Sequence, residues 1–188
     1  MKYSKEVAEY YEKNKRGIWF FYDSIDDYAT SRFLMNNGFI KEGLILGSQA
    51  IEKMLKSFIL ITNGETWEKS KDGHNLLDLK NKISNVSNLN LDRYNKLLNR
   101  LSQDYRAKYM EENLDRGKAS WELKEIDELY LFLLENLPII DELKYITRFF
   151  QYLFSKNSQD NYAIAIKEHN NLLKKKIPEF KIKWEKFQ

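Results

Sequence analysis

Apolar residues recur at three- and four-residue steps along most of the chain, which is the pattern of amphipathic helices. The clearest stripe consists of Leu44, Gly47, Ile51, Met54, Leu55 and Phe58. It predicts a long helix from about Phe39 to Thr62, whose stripe forms core, or core and dimer surface. Gly43 and Gly47 stand one turn apart in this helix, and each lowers helix stability by about 1 kcal/mol relative to alanine. We therefore expect a neighbouring backbone to lie close to both glycines.

The same periodicity predicts further helices on both sides of this one. Helices are expected over residues 4–22, 24–36, 74–83, 91–111, 121–136, 139–154 and 160–176, with a polar loop over 62–73 and a linker over 112–119. Ser24 and Ser120 are candidate N-caps, since a serine hydroxyl can accept a bond from the first free amides of a helix. Asn37-Gly38 is a good stop and turn signal. Pro138 and Pro178 are each expected to end a helix, because proline lacks the backbone donor.

Helices joined by short connections predict an all-α fold, an antiparallel up-and-down bundle of four to five core helices with extra N- and C-terminal helices. Only 2 prolines and 7 glycines occur among 188 residues, which agrees with long helices. We divide the chain into a bundle over residues 1–138 and a helical extension over residues 139–188. The extension is expected to pack on the bundle or on a partner.

Positive charge is concentrated in the last quarter of the chain. Residues 145–188 contain nine Lys or Arg and four Asp or Glu, a net charge of +5, whereas the whole chain carries +3. A basic tail on a nearly neutral body can attract an anionic partner. The alternative interpretation is a solvated helix face with a frayed end.

Several classes of chemistry are excluded by residue types. The chain has no cysteine and 2 histidines, so the common Cys/His zinc sites cannot form. It contains no GxxxxGK[ST], GxGxxG, HExxH or GxSxG motif. Its start lacks the apolar core of a signal peptide, and no window reaches the roughly 18 apolar residues of a membrane span. We expect a cytoplasmic protein that uses no metal and no cofactor and does not bind membranes.

Five short segments follow one another in a characteristic order. They are Tyr28-Ala29-Thr30, Asn37-Gly38-Phe39, the run GSQAIEKMLK from Gly47 to Lys56, Gly73-His74-Asn75-Leu76, and Tyr105-Arg106-Ala107-Lys108-Tyr109. In this order and spacing, residues 24–136 resemble a HEPN domain, the helical family named for nucleotide binding in higher eukaryotes and prokaryotes. Members typically show a QA-xEKxLK helix, then GH-x-L, then a later helix with a tyrosine and a basic-Tyr pair.

This resemblance implies a helical bundle, often homodimeric, that works on nucleotides or RNA, commonly in toxin–antitoxin or defence systems. Many members are metal-independent ribonucleases with an Arg followed four to six residues later by a His. That spacing is absent here, because Arg148 lies 21 residues before His169 and Arg32 lies far before His74. We therefore predict a non-catalytic module that binds a nucleotide, RNA or a protein partner such as a nucleotidyltransferase.

Six residues are candidates for nucleotide or RNA contacts, and none is assigned a catalytic role. They are Lys53, Lys56, His74, Tyr105, Arg106 and Lys108. Lysines bind phosphate as point charges, and basic residues next to aromatic ones suit base stacking with phosphate contact. Each candidate also has a structural interpretation: the lysines as a solvated helix face, His74 as a helix start, and the tyrosines as core.

Two other hypotheses stay open. The chain could be a divergent metal-independent ribonuclease or nucleotidyl-transfer partner, which would require Arg106, Lys108 and His74 to converge. It could instead be a purely structural dimerisation or interaction protein. Residues 139–188 would then form an arm that docks on a partner or swaps within a dimer.

Overall fold

The computed structural model describes residues 4–64, 74–106, 116–145, 147–154 and 161–187, apart from the side chains of residues 103–106 and 116–121. These residues form helices and no strand, which confirms the predicted all-α bundle. The helices are α1 (Lys5–Asn36), α2 (Ile40–Asn63), α3 (Leu76–Val86), α4 (Asn95–Arg106), α5 (Arg116–Asn136), α6 (Asp141–Tyr145), α7 (Arg148–Phe154), α8 (Asn161–Lys167) and α9 (Asn171–Glu185). A single 3-10 turn, Asp92–Tyr94, precedes α4. None of the described helices is both long and apolar enough to cross a bilayer.

The hairpin of α1 and α2 is the centre of the bundle. Its turn uses Gly38 at a φ of 88°, a left-handed conformation that favours glycine. The two helices then run back to back, and a Cβ on Gly43 would lie 3.0 Å from the backbone oxygen of Ser31. A Cβ on Gly47 would lie 3.0 Å from Cδ1 of Ile126 on α5. The predicted close approach of a neighbouring backbone is confirmed at Gly43, whereas the atoms nearest to Gly47 belong to the side chains of Ser31 and Ile126.

Helix α1 is continuous, so the predicted break before Ser24 is wrong. Ser24 does not cap a helix: its buried hydroxyl donates to the backbone oxygen of Phe21 at 2.6 Å, inside the helix. The reason is that the apolar stripe keeps the same three- and four-residue spacing on both sides of Ser24. Ile18, Phe21, Ile25 and Tyr28 are all buried at successive three- and four-residue steps.

Helix α5 also begins earlier than predicted. It starts at Arg116, so Ser120 lies within the helix, and residues 116–119 are helical rather than part of a linker. Residues 112–115 of that predicted linker lie outside the described residues, as do residues 107–111 of the preceding predicted helix. The predicted end before Pro138 is confirmed, because α5 ends at Asn136.

The predicted helix over 160–176 is replaced by two helices. Helix α8 ends at Lys167, and Asn170 caps α9 by accepting a bond from the amide of Leu173 at 2.9 Å. Pro178 lies inside α9 and does not end it, contrary to the prediction. Burial of Phe180 and partial burial of Trp184 beyond the proline stabilise the last turns. Packing there outweighs the lost hydrogen bond.

Residues 141–145 and 148–154 form α6 and α7 instead of one helix, and α7, α8 and α9 pack on the bundle. Phe149 and Phe150 are fully buried. The ring centre of Phe149 lies 6.4 Å from the ring centres of both Tyr28 on α1 and Tyr130 on α5. The core of the described chain therefore includes aromatic side chains from this C-terminal segment.

Candidate functional site

The structure brings two of the sequence-predicted site residues onto one carboxylate. Glu52 of α2 has a side chain only 10% exposed, and its Oε1 lies 2.6 Å from Nζ of Lys56. The same Oε1 lies 3.0 Å from Nδ1 of His74. The i,i+4 spacing of Glu52 and Lys56 places both on one face of α2, and His74 joins the pair from 22 residues downstream. We call these three residues the Glu52 cluster.

The backbone around His74 is fixed by two side chains. Asn75 caps α3 by accepting a bond from the amide of Leu77 at 3.1 Å. Ser102 of α4 accepts a bond from the amide of Leu76 at 3.2 Å. His74 is therefore held between α2, α3 and α4, while its side chain is 64% exposed.

The carboxylate of Glu52 is paired with the ammonium of Lys56 inside the cluster. Lys56 is largely buried, and its ammonium lies 5.8 Å from the ring centre of Phe20 on α1, in addition to its contact with Glu52. A carboxylate paired with a lysine can still orient an imidazole through a hydrogen bond. The arrangement therefore presents a positioned histidine at the surface with a cation behind it. Lys56 and Glu52 carry opposite charges, so the pair adds no net charge to the surface around His74.

Lys53 does not join this cluster. Its Nζ lies 2.8 Å from Oδ2 of Asp27 and 3.9 Å from Oδ2 of Asp23, both on α1. Burial raises the pKa of Asp27, and the neighbouring Lys53 opposes that rise. A phosphate that approached Lys53 would compete with these two carboxylates.

The other three predicted site residues lie at or beyond the end of α4. That helix ends at Arg106, one turn after Ser102, which contacts the start of α3. The side chains of Tyr105 and Arg106, and all of Lys108, lie outside the described residues. Their convergence with His74 stays a prediction.

A buried polar network was not predicted from the sequence. Arg32 of α1 is 0% exposed, pairs with Asp127 of α5, and donates to the backbone oxygens of Ala165, at 2.8 Å, and of Glu168. The hydroxyl of Tyr28 donates to Oδ1 of Asp127 at 2.7 Å. One arginine thus ties α1 to α5 and to the end of α8.

Burial controls the proton affinities in this network. It raises the pKa of Asp127, whereas Arg32 and the Tyr28 hydroxyl oppose the rise. Burial also holds the pKa of Tyr28 well above its ordinary value, and the nearby Asp127 charge adds to the shift. Tyr28 therefore remains a hydrogen-bond donor to Asp127.

Arg32 carries a sequence signal that identifies it as buried. It occupies the apolar stripe of α1, between the buried residues Tyr28 and Met35 at four- and three-residue steps. A charged residue in such a position requires a buried partner. The pattern does not reveal that the partner is Asp127, 95 residues away.

Among the residues that the structure describes, no group of three His, Asp or Glu side chains is arranged to hold a metal ion. Comparison with protein-family models, with curated proteins and with solved structures finds no match to this chain. The HEPN resemblance therefore rests on the motifs themselves.

Proposed function

We propose that this chain is a HEPN-like, non-catalytic module that binds the phosphate of a nucleotide or RNA. The observation that carries the proposal is the Glu52 cluster, in which the QA-xEKxLK helix and the GH-x-L segment meet on one carboxylate. Lys56 supplies positive charge, and the exposed His74 supplies a positioned ring. Phosphate recognition commonly uses such side chains together with backbone groups.

Two variants test the proposal. His74→Ala removes the exposed ring, and Lys56→Met removes the cation behind it while keeping most of the aliphatic stem. Each variant is expected to weaken binding of a short fluorescein-labelled single-stranded RNA about tenfold, or about 1.4 kcal/mol. Fluorescence anisotropy measures the affinity, and circular dichroism verifies the fold. A nucleoside monophosphate competitor distinguishes nucleotide from RNA binding.

Lys41→Met is the matched control for Lys56→Met. Lys41 is exposed on the same helix, fifteen residues earlier, which places it about 22 Å away along the axis. Its loss removes the same charge and is expected to change affinity less than about twofold, since an exposed charge at that distance is screened. If both lysine variants weaken RNA affinity equally, binding is due to general charge attraction and not to the proposed site. Absence of RNA and nucleotide binding by the unaltered chain would overturn it.

A divergent ribonuclease is the second candidate, and the Glu52–His74 contact favours it. A carboxylate that orients an imidazole is a common arrangement for general acid–base catalysis. We expect no cleavage when the pure protein is incubated with assorted RNAs in the presence of a chelator. Cleavage that survives chelation and disappears in Lys56→Ala or Arg106→Ala would contradict the non-catalytic assignment.

The proposal includes the setting that the resemblance implies. We propose a cytoplasmic homodimer that acts in a toxin–antitoxin or defence system, with a protein such as a nucleotidyltransferase as its partner. The supporting observation is again the motif order, now with two of its segments in contact at Glu52.

A further inference from the structure

A cleft of about 670 Å³ lies between the α1–α2 turn, α5 and the α8–α9 turn. This volume is typical of small-molecule sites in proteins. Met35, Ile40, Leu123 and Leu172 give it an apolar wall. The cleft is separate from the Glu52 cluster, because Ile40 and Glu52 are twelve residues apart on α2, about 18 Å along its axis.

The acid that lines the cleft is already neutralised. Asp127 accepts a hydrogen bond from Tyr28 at one carboxylate oxygen and is paired with the buried Arg32 at the other. It therefore offers neither a free oxygen nor an uncompensated charge to a ligand. A cationic ligand would gain little there.

Two of the remaining polar side chains can donate a hydrogen bond to an anion. Lys124 and His169 line the same cleft with exposed side chains. Their acidic contacts are long, 4.0 Å from Lys124 to Glu128 and 3.6 Å from His169 to Glu168. Exposed pairs of this kind are weak, so both side chains can turn towards an anion.

Asn36 adds a donor that lacks an acceptor. Asn36 lines the cleft, and its Nδ2 atom is buried and donates no hydrogen bond to any residue that the structure describes. A buried donor without an acceptor is costly, and an acceptor on a bound molecule would satisfy it after a small side-chain movement.

His169 has an unusual backbone for its residue type. Its φ of 53° is left-handed, and in the described residues no other non-glycine residue has a positive φ. Glycine is the usual residue at such a position just after a helix, here α8. A strained residue retained at the edge of a cleft favours a functional role for its side chain.

We propose that this cleft binds a small organic anion, a carboxylate or phosphate carried on an apolar or aromatic body. Lys124, His169 and the Asn36 amide contact the anionic group, and the wall around Leu123 and Leu172 packs against the body. The site stands independently of the proposed RNA or nucleotide contact at the Glu52 cluster.

Four probes separate the two parts of the ligand. Phenyl phosphate and benzoate have both an anionic group and a body, inorganic phosphate has the charge alone, and benzyl alcohol has the body alone. In an amide NMR titration, at least one of the first two is expected to shift the signals of Asn171 and Leu172. It should bind about tenfold more tightly than either partial probe, because charge and apolar burial both contribute. The tighter of the two identifies the anionic group as phosphate or carboxylate.

Three variants locate the contacts. Lys124→Met removes the cation, Asn36→Asp replaces the amide by a repulsive carboxylate, and His169→Gly removes the ring while keeping the left-handed backbone. Each is expected to weaken the best probe at least about tenfold, the size of a lost charged hydrogen bond. Since glycine suits the backbone at residue 169, that variant also guards against a simple loss of folding.

Lys13→Met is the control for Lys124→Met. Lys13 is exposed on α1, twenty-three residues before Asn36 and about 34 Å away along the axis, so its loss should leave probe affinity unchanged. Retention of full affinity in all three cleft variants would overturn the proposal. So would the absence of signal shifts at Asn171 and Leu172 with every probe.

Discussion

Replacing Asp127 by alanine is expected to lower the free energy of unfolding by about 3–5 kcal/mol. The substitution leaves Arg32 charged, fully buried and without its carboxylate. It also removes the acceptor of the Tyr28 hydroxyl, which donates to Asp127 at 2.7 Å. Urea denaturation followed by circular dichroism measures the loss, which should appear as a lower midpoint with a similar slope.

Asp26→Ala is the matched control for this prediction. Asp26 also pairs with an arginine, Arg148, at 3.0 Å, but both side chains are exposed. Its loss should cost less than about 1 kcal/mol. Similar losses for the two aspartates would show that burial does not determine the strength of the Asp127 contact.

A double variant separates the pair from its surroundings. Arg32→Met together with Asp127→Leu removes both charges and should be more stable than Asp127→Ala alone, because no buried charge is left unpaired. Recovery should be incomplete. Arg32 also donates to the backbone oxygens of Ala165 and Glu168, which a methionine cannot replace.

The α1–α2 hairpin was predictable because its signals are local. The apolar stripe of α2, the Asn37-Gly38 turn and the close backbone approach at Gly43 all depend on adjacent turns, and the structure agrees with each of them. Cap signals failed where longer-range packing opposed them. Ser24 lies within a helix because the apolar stripe of α1 is continuous through it.

Pro178 shows the same limit in another form. A proline removes one backbone bond from a helix, which is a local cost that sequence rules include. The burial of Phe180 in the core is a tertiary gain that those rules do not include. The helix continues because the second effect is larger.

The candidate sites divide along the same line. The Glu52–Lys56 pair follows from helix geometry alone, since residues four apart face each other. The contact between His74 and Glu52 depends on the path of the chain between α2 and α3. The order of the motifs suggested that the two segments meet, but their spacing in the sequence could not predict which atoms would be in contact. The cleft beside Asp127 joins residues from α1, α2, α5 and α9, and a single sequence contains no signal for that meeting.

Deleting residues 139–188 is expected to abolish cooperative unfolding. Phe149, Phe150 and Phe180 are among the buried aromatic side chains that the deletion removes. Loss of one such side chain costs about 3–5 kcal/mol, so loss of three approaches the total stability of about 5–15 kcal/mol that is typical of a domain. It also removes the backbone acceptors of Arg32 at Ala165 and Glu168. Thermal unfolding by circular dichroism and the dispersion of amide NMR signals measure the result.

Ile182→Ala is the control within the same segment, because Ile182 is exposed and its loss should leave the unfolding temperature unchanged. The truncation also distinguishes two roles for the segment. If residues 1–138 unfold cooperatively and lose only their ability to self-associate, residues 139–188 are a docking arm, as the structural hypothesis requires. If they lose their fold, the segment belongs to the core. Phe149 contacts the rings of both Tyr28 on α1 and Tyr130 on α5. The second outcome is therefore favoured, because the deletion exposes these two buried rings.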